Sequence, residues 1–136
     1  MIRKALVSLL LALRACGSSR EKVNRAASEC RAYGFAELTE HLACIKRHGV
    51  TIKDCGGVLC NTVTLAPGET DPLYSLTDAT CRVETPRCGR VLEQSGKYLA
   101  PDRDEMGMSE ITCRVSCRVF VPRERTEEIT YRIKAQ

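Results

Sequence analysis

Eight cysteines between residues 30 and 117 constrain the fold of this 136-residue chain more than any other feature. They stand at Cys30, Cys44, Cys55, Cys60, Cys81, Cys88, Cys113 and Cys117, and a ninth, Cys16, lies where a short apolar N-terminal run gives out. An even set at this density is the arithmetic of a disulfide framework, provided the chain leaves the reducing cytosol. The N-terminus supplies that condition. A charged start (Met1-Ile2-Arg3-Lys4), an apolar stretch from Ala5 to Leu13 and the small residues Ala15, Gly17 and Ser18 read as an export leader with its processing site.

Residues 1–17 are therefore expected to be a signal segment, 18–49 a helical hairpin and 50–136 a cysteine-rich β domain. With no Trp, four Tyr and two Phe, the chain lacks the aromatic bulk that anchors many small cores. Disulfides, each contributing about 2–4 kcal/mol, are the expected substitute. The formal charge of +4 overstates the basicity. Of 21 Lys and Arg, three (Arg3, Lys4, Arg14) lie in the leader, leaving 18 against 17 acidic residues. No basic run reaches five residues, so nucleic acid is not an expected partner. Ala5–Leu13 has the length of a leader's apolar core and falls short of the ~18–20 residues that span a bilayer.

Two cuts of the leader are open. Leu13-Arg14-Ala15-Cys16 resembles the bacterial lipobox, whose cysteine is lipidated and becomes the mature N-terminus, and Gly17-Ser18-Ser19 resembles the tether that follows it. Arg14 occupies the place that usually holds a small or aliphatic residue. The second cut falls after Gly17, with Ala15 and Gly17 as the small residues an ordinary signal peptidase needs. Both cuts leave eight thiols. The competing reading makes residues 2–16 the first amphipathic helix of a cytosolic protein.

Ser18-Ser19-Arg20-Glu21 is a helix start, and Val23, Ala26, Ala27 and Cys30 recur at helical spacing as far as Tyr33. A second helix is predicted from Phe35 to Arg47, with Phe35, Leu38, Leu42 and Ile45 on one stripe and Gly49 as its stop. Cys30 and Cys44 then lie on neighbouring helices, and a bridge between them staples the hairpin. Cys30-Arg-Ala-Tyr33-Gly34-Phe35, followed by Thr39 and Cys44, resembles a segment of small exported, cysteine-containing proteins of Proteobacteria. That resemblance covers about fifteen residues and implies an envelope location without implying an activity.

Beyond Gly49 the turn dipeptides Gly56-Gly57, Pro67-Gly68, Asp71-Pro72, Thr85-Pro86 and Pro101-Asp102 punctuate short strand-like runs at 58–65, 80–84 and 89–93. The C-terminus is clearer. Cys113, Val115, Cys117, Val119 and Val121 alternate with Thr112, Arg114, Ser116 and Arg118; after Pro122-Arg-Glu-Arg125, Ile129, Tyr131, Ile133 and Ala135 alternate with Thr130, Arg132 and Lys134. The pattern predicts a β-hairpin with an apolar face inward.

Cys113 and Cys117 share a strand face roughly 13 Å apart at ~3.3 Å per residue, so neither can bond the other. Cys81 and Cys88 are their candidate partners. His41, Cys44 and His48 could share one helix face and, with Cys55 and Cys60, make a zinc set, but zinc requires reduced thiols. No Cys-x-x-Cys and no Gly-x-Ser-x-Gly occurs, and Asp102, Asp104, Glu105 and Glu110 fall in a charged loop. Arg82, Arg87, Arg90, Arg114, Arg118 and Arg132 could line one sheet face, either to bind an anionic glycan or lipid headgroup or to pair with neighbouring glutamates.

The expected fold is α+β, an N-terminal helical hairpin followed by a small disulfide-tied antiparallel sheet. The expected function is a non-catalytic exported protein of the bacterial periplasm or outer membrane, lipid-anchored through Cys16, with a protein or glycan partner and no cofactor or metal. A secreted cysteine-rich effector and a cytosolic zinc-binding module are the alternatives.

Overall fold

A computed structural model describes residues 19–33, 38–51, 61–74, 77–121 and 123–135. The predicted leader with Cys16, and Phe35, Cys55 and Cys60, lie outside the described residues, as do the disulfide pairing predicted for Cys55 and Cys60 and the start of the predicted 58–65 strand.

Helix α1 (Ser19–Ala32) and helix α2 (Leu38–Arg47) form the hairpin. The stripe of α1 is the predicted one: Ala26, Ala27 and Cys30 are fully buried, and Val23 packs at their edge. Helix α2 buries Cys44 and Ile45. It ends in a paired-hydrogen-bond cap. The Val50 amide donates to the Ile45 carbonyl at 3.3 Å and the Gly49 amide to the Lys46 carbonyl at 2.8 Å. Gly49 takes φ +73°, the left-handed conformation such a cap demands, and Val50 closes over Ile45 as a second buried residue.

The β part holds strands β1 (Thr62–Leu65), β2 (Thr70–Asp71), β3 (Ala79–Val83), β4 (Arg90–Val91), β5 (Tyr98–Leu99), β6 (Glu110–Val119) and β7 (Arg125–Lys134), with a one-turn helix α3 (Arg103–Met106) between β5 and β6. A four-stranded sheet has the order β1-β7-β6-β3 and a three-stranded one the order β2-β5-β4. The fold is α+β, as expected, and the sheets are antiparallel except at one place: β1 runs parallel to β7, with Val63 beside Tyr131 and Leu65 beside Ile133. The hairpin of β6 and β7 pairs Cys113 with Tyr131 and Val115 with Ile129, all four fully buried. Val121 departs from the expected pattern. Strand β6 ends at Val119, and Val121, beyond the last paired residue, is 50% exposed.

Helix α1 packs along β1, and its Asn24 docks there by backbone mimicry. The side-chain amide donates to the Thr64 carbonyl and accepts from the Thr64 amide at 3.0 Å. Between the sheets, Gly89 (φ +81°) lets the chain pass so close to β5 that a Cβ there would lie 2.1 Å from the Leu99 carbonyl oxygen.

Among the described residues, three disulfides tie these parts together. Cys30–Cys44 staples the two helices, Cys81–Cys117 joins β3 to β6 at directly opposed positions, and Cys88–Cys113 anchors the loop before β4 to β6. The partners proposed for Cys113 and Cys117 are the ones found.

Candidate functional site

Two arrangements of polar side chains stand out, one inside the molecule and one on its surface. The inner one begins with a charge on the wrong side of a helix. Arg31 lies four residues beyond Ala27, on the buried stripe of α1, and is 2% exposed. A buried guanidinium is costly unless a carboxylate meets it. Asp71 on β2 does so, the one buried carboxylate among the described residues. Its Oδ1 accepts from the Ser28 hydroxyl, one turn before Arg31; its Oδ2 accepts from Arg31 Nη2, the Tyr131 hydroxyl and the Leu73 amide.

Aromatic rings close the network. Arg31 lies 5.6 Å from the centre of the Tyr74 ring, and the Tyr74 hydroxyl donates to Glu127, which also accepts from Arg125 Nε at 2.6 Å. Tyr98 stacks on Tyr131 at 4.2 Å between centroids, and its hydroxyl donates to the Cys88 carbonyl at 2.7 Å. One cluster thereby connects α1, β2, β5 and β7. Four donors, one on Oδ1 and three on Oδ2, hold the Asp71 carboxylate in place. The network clamps the helical hairpin to the sheet.

Burial pushes the hydroxyls of Tyr74, Tyr98 and Tyr131 well above the usual tyrosine range, with Glu127 beside Tyr74 and Asp71 beside Tyr131 adding to the effect. The neutral forms are favoured by folding. The stability they carry is complete below about pH 10, where the unfolded phenols are also neutral, and is lost as pH rises toward the raised folded values. Phenolate absorbance is expected to grow together with loss of folded circular dichroism above about pH 10. Ionisation of these tyrosines in a protein that stays folded would show that the network is not closed.

The surface arrangement is the outer face of the four-stranded sheet. Thr80 and Arg82 on β3, Thr112, Arg114 and Arg118 on β6, and Thr126, Glu128, Arg132 and Lys134 on β7 all face solvent. Three of its four arginines are paired: Arg82 with Glu84 at 2.8 Å, Arg132 with Glu110 at 2.7 Å, and Arg118 with Glu124. The hydrogen bond from Arg132 holds the Glu110 carboxyl below its ordinary range. Arg114 makes no ion pair among the described residues. Arg118 also sits over the exposed Phe120 ring, 5.6 Å from its centre, beside a shallow hollow of about 360 Å³ lined by Thr80, Arg82, Ser116 and Thr126. Arg87 and Arg90 are not part of this face. They border a separate hollow beside Gly89 and Asp102, because β4 belongs to the smaller sheet.

The cysteine and histidine positions divide differently from the alternative zinc set. Helix α2 stops at Arg47, so His48 leaves the helical register that would have aligned it with His41. The convergent trio is instead Cys30, Cys44 and His48, whose candidate ligand atoms lie within 4.8 Å of one another. His41 is half-buried on α2, apart from the trio. Asp102, Asp104 and Glu105 are exposed around α3, and Glu110 is held by Arg132.

No protein-family model matches the chain, and no curated protein is detectably similar to it. Three disulfides in so small a framework fit an oxidising, exported setting.

Proposed function

We propose that this chain is a non-catalytic binding component of the bacterial cell envelope, exported, disulfide-stapled and anchored by lipid on Cys16. The observation that carries this reading is the deployment of its bonds. The helix pair, the edge strand β3 and the loop before β4 are each tied down by a disulfide, and the buried Arg31–Asp71 pair joins helix to sheet. Such a body is braced by covalent ties, and the outer face of its four-stranded sheet presents hydroxyls and arginines to solvent. That face suits a protein or glycan partner met through many polar contacts with Arg114 and Phe120 near the middle and the rim. Its glutamates offset its arginines, which argues against a purely electrostatic ligand.

Intact mass of the mature protein from its native host tests the reading in one measurement. The expected species begins at Cys16, carries acyl chains and lacks two hydrogens for every disulfide. A species beginning at Ser18 without acyl chains would instead support the secreted effector. A chain that retains Met1 and free thiols would overturn export altogether.

A further inference from the structure

The position of His48 beside the Cys30–Cys44 bridge has no part in stapling the helices. We propose that this corner is a two-state clasp: a disulfide when oxidised and, when reduced, a zinc-class divalent metal site made by the two thiolates and the His48 imidazole. Three observations converge on it. The sulfur atoms and a ring nitrogen lie within 4.8 Å of one another, while a tetrahedral ion at ~2.3 Å from sulfur and ~2.0–2.1 Å from nitrogen needs its ligand atoms roughly 3.5–4 Å apart. Opening the sulfur–sulfur bond brings the trio to that spacing by side-chain rotation. The ligands also come from fixed places: Cys30 from the last turns of α1, Cys44 from the body of α2, and His48 from the turn that the Gly49 cap holds in place.

The third observation is Glu29. Its carboxylate lies 3.3 Å from His48 Nε2, outside the trio itself. This is the outer-shell carboxylate that commonly orients a ligating imidazole, and it leaves Nδ1 as the nitrogen free to face the ion. Two thiolates balance a divalent charge, so the filled site adds no net charge to a corner where both cysteines are buried. The fourth position falls to water. The electron balance is simple. A dithiol reductant gives two electrons and two protons, becomes its own disulfide and leaves Cys30 and Cys44 as thiols; the metal then releases their two protons to solvent.

The test uses the full chain, reduced by a phosphine under inert gas and alkylated in the presence or absence of Zn²⁺, with each cysteine followed by peptide mass spectrometry. The expected result is slowed alkylation confined to Cys30 and Cys44, weakened at least about tenfold in His48→Gln, a ligand loss at or beyond the 10–100-fold range of outer-shell changes. The oxidised His48→Gln protein keeps its disulfide and serves as the folding control by circular dichroism. Co²⁺ in place of Zn²⁺ should give thiolate-to-metal charge-transfer absorption that Cys30→Ser/Cys44→Ser removes. Protection that is absent, or spread evenly over all the cysteines, or unchanged in a folded His48→Gln, would overturn the site. None of these outcomes bears on the processed mass of the exported form, so the two readings fail separately.

Discussion

Asp71→Ala is expected to unfold the domain or to come close. The substitution leaves the Arg31 guanidinium buried without its counter-charge and also strands the hydroxyls of Ser28 and Tyr131. Breaking a buried ion pair from one side costs about 3–5 kcal/mol, set against a total stability of roughly 5–15 kcal/mol for a domain of ordinary size. Urea unfolding followed by circular dichroism measures it. Tyr131→Phe removes a single donor to the same carboxylate and is expected to cost about 1.5–3 kcal/mol. Replacing Arg31 by Met and Asp71 by Leu together should cost much less than the two single changes summed, because no unpaired charge then remains. A loss of under about 1 kcal/mol for Asp71→Ala would show that the pair does not hold helix to sheet.

A second large effect belongs to Val119→Asp. Val119 is fully buried at the end of β6, opposite Ala79 on β3 and Arg125 on β7. A carboxylate there is desolvated at a fully buried position, and the Arg125 guanidinium opposite is already held by Glu127, so the change should cost several kcal/mol, enough to prevent folding. Arg118→Asp, one position earlier, faces solvent and gives up an exposed pair with Glu124, so it should change stability by about 0.5 kcal/mol. Thermal melts of the two variants therefore report which face of β6 is inside. Equal losses, or a larger one for Arg118→Asp, would reverse the assignment.

The parts of the fold that can be read from the chain are those whose information is local. The period-two alternation of β6 and β7 places Val115, Val119, Ile129 and Ile133 inward, and helical spacing does the same for Ala26, Ala27 and Cys30. Cysteine geometry narrows the partners of Cys113 and Cys117 because two residues on one strand face cannot reach each other. What escapes is set at long range. The parallel pairing of β1 with β7 joins residues nearly seventy positions apart, and β2, β4 and β5 have two residues each, too few to show a period. Asp71 reads as half of a turn dipeptide, Asp71-Pro72. The signal that could have found it is on the helix: Arg31 falls on the apolar stripe and demands a buried acid. His48 lies one residue past the helix end predicted and found at Arg47, so a helix face shared with His41 asks of it a register that α2 does not reach.

The contact of Asn24 with Thr64 has a bearing on how this molecule fails as well as on how it stands. A sheet border with open amide and carbonyl groups is a growth point, ready to accept a strand from another copy. Here one amide side chain occupies the β1 border in the manner of a peptide group, so the hairpin that carries it also shields that border from a strand of another copy. Loosening of the helices would then uncover the border of β1 while the disulfides at Cys81 and Cys88 keep the remaining strands aligned. A chain with an intact sheet and a displaced helix would therefore expose a strand border that the folded protein covers at Thr64.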